Sequence, residues 1–205
     1  MAARILLIRH ASVDPLGKAI AGRGAGVHLN EQGRLEAEQL VERLSATKLE
    51  AIYCSPMERT RETAEPVARS KQLEVLTSDE FTEIDFGEWT GKTFGELDKL
   101  PEWHRFNQCR SIGRIPGGES MLEVVQRMVR GIEAVSERHR RGMVAIFSHC
   151  DPIRAALVHY MGMNLDGMLR LTVAPASISA VDVEPCGARL LALNNVSGAF
   201  RIGEG

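Results

Sequence analysis

Arg4-Ile5-Leu6-Leu7-Ile8-Arg9-His10-Ala11 is the stretch from which the rest of the chain can be read. Ile5 to Ile8 form a short apolar run that predicts a buried β-strand, with Arg9-His10 placed where that strand ends. In an α/β domain, polar groups at the carboxyl end of a buried strand face the crevice in which ligands bind. One such dipeptide says little, but two later stretches repeat the arrangement. Ala51 to Cys54 leads into Ser55-Pro56-Met57-Glu58-Arg59, and Val144 to Phe147 leads into Ser148-His149. Three buried strands therefore deliver basic side chains to what is expected to be one sheet edge, and the fold expected is α/β.

The composition fits this. A chain of 205 residues with 44% hydrophobic and 25% charged residues suits a single globular domain spanning 1–205. With 25 Lys and Arg against 27 Asp and Glu, a net charge of -2 gives no general reason to expect nucleic acid or a membrane surface as partner. Anion recognition must therefore be local. The four cysteines, Cys54, Cys109, Cys150 and Cys186, show neither a C-x-x-C pair nor zinc spacing and read as reduced thiols. No apolar stretch approaches the length of a signal peptide core or a membrane span, so a cytoplasmic location is expected.

Along the chain, the glycine-rich passage 14–27 reads as a loop, and its G-x-G-x-G lacks the strand-to-helix context of a dinucleotide fingerprint. Arg23 is a candidate anion contact from that loop. Asn30 predicts an N-cap for an amphipathic helix reaching about Thr47. Ser55, Pro56 and Glu58 predict a capped helix start, which places Arg59 in a first turn where guanidinium and helix dipole both favour a phosphate; Pro66 is expected to kink or break that helix. Acidic and large apolar residues alternate from Glu83 to Trp89, as suits a segment over a crevice. Gly87 to Thr93 has the wrong spacing for a phosphate loop. Residues 92–120 are expected to form a lid or specificity insertion, in which Arg110, Arg114 and His104 are candidates for a second anionic group. Ser120 predicts the start of a long helix ending near Arg140, Asp151-Pro152 another helix start, and 178–193 a terminal hairpin with Pro185 and Gly187 between its strands.

Arg9, His10, Arg59 and His149 gathered in one crevice suit a phosphoryl dianion, because each guanidinium offers a planar fork to non-bridging oxygens. Neighbouring cations disfavour imidazolium, leaving at least one imidazole neutral and able to attack phosphorus. The leaving alkoxide then needs a proton, for which Glu83 is the best-placed carboxylate. No metal or other cofactor is called for by this chemistry.

Arg9-His10-Ala11, Ser55 to Ala64 (S-P-M-E-R-T-R-E-T-A), Glu83 to Trp89 (E-I-D-F-G-E-W) and Phe147-Ser148-His149 resemble, in order, the four motifs of the histidine phosphatase superfamily, the phosphoglycerate mutase-like proteins. The resemblance implies a three-layer α/β/α sandwich with a mostly parallel central sheet. It implies His10 as nucleophile, Arg9, Arg59 and His149 as phosphate pocket, and Glu83 as proton donor. Ala11 and Cys150 stand where glycine is frequent after the two histidines; Cys150 would narrow the pocket or expose a reactive thiol, or be a bystander. The Trp-Asn pair that mutases carry after the first motif is absent from V-D-P-L-G at 13–17. The expected activity is a phosphomonoesterase acting through phosphohistidine on a small phosphorylated metabolite. A cofactor-dependent phosphoglycerate mutase-type phosphotransferase and a non-catalytic phospholigand-binding module are the alternatives.

Overall fold

The computed structural model describes residues 2–14, 19–184 and 187–201. Pro185, Cys186 and the 15–18 part of the first loop lie outside the described residues. Six strands form one sheet in the order β3-β2-β4-β1-β5-β6: β1 Ala3–Arg9, β2 Ala51–Cys54, β3 Val75–Thr77, β4 Met143–Ser148, β5 Ile178–Glu184 and β6 Gly187–Asn195. The first four of that order run parallel, and β5 and β6 complete the sheet antiparallel as the expected terminal hairpin.

Why β1 lies in the middle follows from its side chains. Leu6 and Ile8 turn to one face and pack in a core with Ala37, Leu40, Ala64 and Val67, from α1 (Glu31–Arg43) and α2 (Glu58–Lys71). Ile5 and Leu7 turn to the other and pack with Met128, Ile132, Ile153 and Leu157, from α5 (Met121–Arg138) and α6 (Cys150–Tyr160). A strand apolar on both faces needs helices on both, and three layers result. Two short helices, α3 (Phe94–Leu97) and α4 (Pro101–Gln108), lie in the 92–120 excursion. Among the described residues no helix is long and apolar enough to cross a membrane.

Local signals largely decide where helices begin. The Asn30 side chain accepts from the Gly33 amide at 2.8 Å, and Ser120 forms a capping box with Glu123. The start of α2 departs from expectation. Its N-cap is Met57, without a side-chain bond, because Ser55 still belongs to the sheet edge, its amide donating to the Phe147 carbonyl at 2.9 Å. Glu58 accepts from the Gly26 amide instead of closing a capping box. Nor does Pro66 break the helix, which continues to Lys71; Ala64, Val67 and Ala68 around it are buried in the core beneath α1, and that packing outweighs the missing amide. The helices α1 and α5 end at Arg43 and Arg138, before the expected Thr47 and Arg140.

Candidate active site

Parallel register brings the carboxyl ends of β1, β2 and β4 together. Arg9 pairs with Ser148 and Cys54 with Phe147, and the ladder runs one step further as the His10 amide donates to the Ser148 carbonyl at 2.9 Å. His10, Ser55 and His149 thus stand side by side at one edge. Arg59, in the first turn of α2, and Glu83, on the segment between β3 and α5, complete the group. Arg9, His10, Arg59 and Glu83 line a cavity of about 320 Å³; His149 is fully buried beside it, its ring centroid 5.3 Å from that of His10.

The tautomer of His10 follows from its partner. Nδ1 lies 2.8 Å from the Ala11 carbonyl oxygen, which only accepts, so Nδ1 carries the proton and Nε2 keeps a lone pair. Burial, then the charges of Arg59 and Arg9, push the His10 pKa down to about 3, so the ring is neutral near pH 7. His149 is held well below its ordinary value chiefly by burial. Burial also dominates at Glu83, lifting its carboxyl to about 7 against the opposing pull of Arg59.

Among the described residues, three buried nitrogens at this edge have no hydrogen-bond partner: Arg9 Nε, Arg59 Nη1 and His149 Nδ1. The remaining hydrogen bonds of the two arginines fix their forks, Arg9 Nη1 donating to the Val173 carbonyl at 2.6 Å and Arg59 Nη2 to the Gly22 carbonyl at 2.8 Å. Buried donors are rarely left unmatched, and a cluster of them around a neutral imidazole fits a tetrahedral oxyanion. Among the described residues no group of three or more His, Cys, Asp and Glu is placed to hold a metal ion.

Arg23 sits differently from expectation, and Cys150 keeps a place at the cavity. Arg23 does not line the cavity. Its Nε donates to the Glu83 carbonyl at 2.8 Å and its Nη2 to the Glu119 carboxylate at 2.9 Å, so it ties down the segment that carries Glu83 rather than reaching an anion. Cys150 does line the cavity, with Sγ 3.6 Å from the Val173 carbonyl, but burial raises its thiol pKa, which is the opposite of an activated thiolate.

Within 92–120, Phe94, Trp103, Asn107 and Arg110 form one wall of the cavity. Arg114 turns away to Glu123, and the exposed His104 bonds the Asp98 carbonyl. Arg110 is 4% exposed, stacks 4.2 Å over the Phe106 ring, and donates to Asp151 and Asn107, its Nε without a partner among the described residues. Arg154 joins the same Asp151 carboxylate at 3.1 Å. Burial alone would raise the Asp151 pKa, but the two guanidiniums overcome it and hold the carboxyl below its usual value.

Two contributors escaped the sequence. Ser55, read as a helix cap, places its hydroxyl 2.9 Å from His149 Nε2. Arg127 is buried on the inner face of α5 and donates to the carbonyls of Glu80, Thr82 and Glu83 and to Glu119. Its signal was a charge in an apolar stripe, three residues after Val124 and one before Met128.

A family model of the histidine phosphatase superfamily, branch 1, matches residues 5–196. The chain belongs to the histidine phosphatase superfamily. Within it, the chain is 33% identical over 198 residues to phosphoserine phosphatase 1 of Hydrogenobacter thermophilus, covering 93% of this chain and 92% of that one. It is 28% identical over 194 residues to the 2,3-bisphosphoglycerate-dependent phosphoglycerate mutase of Thermoplasma acidophilum, covering 94% and 92%. Among solved structures, Bacillus stearothermophilus YhfR superposes with a TM-score of 0.89 at 25% identity, over 95% of this chain and 98% of that chain. The histidine phosphatase fold is thus shared along nearly the whole length.

Proposed function

We propose that this histidine phosphatase superfamily member is a metal-independent phosphomonoesterase that turns over a small phosphorylated metabolite through a phosphohistidine. The observation that carries the proposal is the state of His10: a neutral ring whose Nδ1–H is bonded to the Ala11 carbonyl, leaving Nε2 unprotonated in the field of Arg59 and Arg9.

In the first step His10 Nε2 attacks phosphorus as the ester P–O bond breaks. Arg9, Arg59 and His149 donate to the equatorial oxygens, and the leaving oxygen takes the proton of Glu83. In the second, the Glu83 carboxylate takes a proton from water, the water oxygen attacks phosphorus, and the P–N bond breaks. Inorganic phosphate departs with Glu83 protonated and His10 neutral again. A carboxyl near pH 7 serves both directions of this proton traffic.

The Arg110 wall of the cavity supports a second charged group on the ester. Arg110 and Arg154 share one carboxylate, Asp151, so a net positive charge remains for a substrate carboxylate. A relative named phosphoserine phosphatase is consistent with such an ester. The cavity suits a small molecule rather than nucleic acid or membrane.

The test is phosphate release from a panel of phosphomonoesters, with wild type beside His10→Ala. The panel includes phosphoserine, phosphoethanolamine, and 3-phosphoglycerate with and without its bisphosphorylated activator. Release that His10→Ala abolishes, strongest on esters bearing a carboxylate, is the expected result. Isomerisation that depends on the bisphosphate would make the protein a mutase instead, and tight binding without turnover a phospholigand-binding module.

A further inference from the structure

We infer that Ser55 is a positioning residue that locks His149 in the Nδ1–H tautomer, so that this histidine presents a proton, and not a lone pair, to the phosphoryl site. The inference rests on the phosphoryl-transfer role of the pocket argued above and adds a residue to it.

Ser55 is fully buried at the end of β2. Its Oγ accepts from the Met57 amide at 3.3 Å, which leaves its own hydrogen to be placed. Among the described residues the other group within hydrogen-bond distance is His149 Nε2, at 2.9 Å. A hydroxyl that already accepts a backbone N–H is completed by donating, so the serine proton points at Nε2. Nε2 is then the acceptor nitrogen of a neutral ring, and the ring proton resides on Nδ1.

Among the described residues Nδ1 has no hydrogen-bond partner; it is buried and lies 3.6 Å from Glu83 Oε2. The alternative tautomer would strand the serine hydrogen without an acceptor. It would also turn an imidazole lone pair toward an incoming dianion, where two electron-rich groups repel. The two histidines therefore hold the same Nδ1–H tautomer but turn opposite nitrogens to the site. His10 is fixed through the Ala11 carbonyl with Nε2 bare, and His149 through the Ser55 hydroxyl with Nδ1 protonated. One attacks and the other donates.

Long-range ¹H–¹⁵N correlation spectra of the labelled protein without substrate report the tautomer of each ring directly, with His149 assigned through its own Cβ. Wild type is expected to show His149 protonated at Nδ1 and bare at Nε2. Ser55→Ala is expected to lose that bias, with kcat/KM falling about 10- to 100-fold, the range for losing a hydrogen bond to a charged group. A wild-type His149 protonated at Nε2 overturns the inference, and that spectrum needs no variant to fold. Retention of the Nδ1–H form in Ser55→Ala overturns it too, whatever happens to turnover. A tautomer that shifts while turnover stays unchanged would confirm the lock and instead sink the part given to His149 in the phosphoryl-transfer scheme.

Discussion

Glu83 Oε2 stops 3.9 Å from Arg59 Nη2, close enough to feel the guanidinium charge and too far to hydrogen-bond it. The ion pair is thus left half-made. Burial prevails over attraction, and the carboxyl rises to about 7 where a full salt bridge would have driven it down.

Turnover is therefore expected to fall as pH rises through about 7, because the raised carboxyl loses its proton there and can no longer protonate the leaving oxygen. Glu83→Gln is expected to lower kcat by about 10² to 10⁴ and to flatten that limb. Substrate ionisation near pH 6 is common to both proteins, so the difference between their pH profiles belongs to Glu83. An unchanged limb in the variant would remove Glu83 from the proton transfer.

Stability should follow the same group. A folded pKa raised from 4.5 to about 7 contributes stability that is complete below 4.5 and is lost as pH rises through 7. The shift corresponds to roughly 3 kcal/mol. Relative to wild type, Glu83→Gln should gain most of that on going from pH 5 to pH 8, read from urea midpoints. A difference that does not change with pH would contradict the raised carboxyl.

Arg127 and Arg23 both donate to the Glu83 carbonyl and to Glu119, but from different environments. Arg127 is buried and Arg23 half-exposed, with its side chain 37% accessible. Arg127→Ala strands buried carbonyls and is expected to cost about 3 kcal/mol in a denaturation experiment. Arg23→Ala should cost less than about 1 kcal/mol. It should also leave the affinity for inorganic phosphate unchanged; a tenfold loss of that affinity would return Arg23 to the pocket.

Gly33 reverses an ordinary helix rule. Glycine to alanine within a helix normally stabilises by about 1 kcal/mol. Here a Cβ would lie 2.1 Å from the Ser12 carbonyl oxygen, a backbone atom that the Asn30 amide also holds. Gly33→Ala is expected to destabilise by more than about 2 kcal/mol in thermal unfolding and, by displacing the chain two residues after His10, to lower turnover. A variant as stable as wild type would show that the close approach relaxes freely.

What could be read from the sequence was local. Buried strands announce themselves by apolar runs, and the polar residue after each run marks the sheet edge, so Arg9, His10, Arg59 and His149 were legible together. Asn30 and Ser120 signal helix starts because a cap bonds an amide three residues on. The capping pattern at Ser55 misled because the same pattern occurs where a strand overruns by one residue, and the amide of Ser55 went to β4. Arg23 was misjudged for a different reason: its partners lie 60 and 96 residues away, and no spacing rule spans such distances. The Arg110 wall of the pocket was half visible. Arg110 was singled out, but the role of Asp151 as the shared counter-charge of Arg110 and Arg154 emerged only with α6 in place.

The group that orients His10 is a peptide carbonyl. No side-chain replacement can delete it and no accessible pH can titrate it, so the aim of the proposed nucleophile is written into the path of the chain and changes only when that path moves. Variation and selection at this site can act on Glu83, on the arginines and on the Arg110 wall, while the His10 ring stays as the backbone set it. Retuning the pH optimum or the choice of ester thus becomes a matter of adjusting Glu83 and the Arg110 wall together, since Asp151 at that wall helps to raise the Glu83 carboxyl, around a fixed centre.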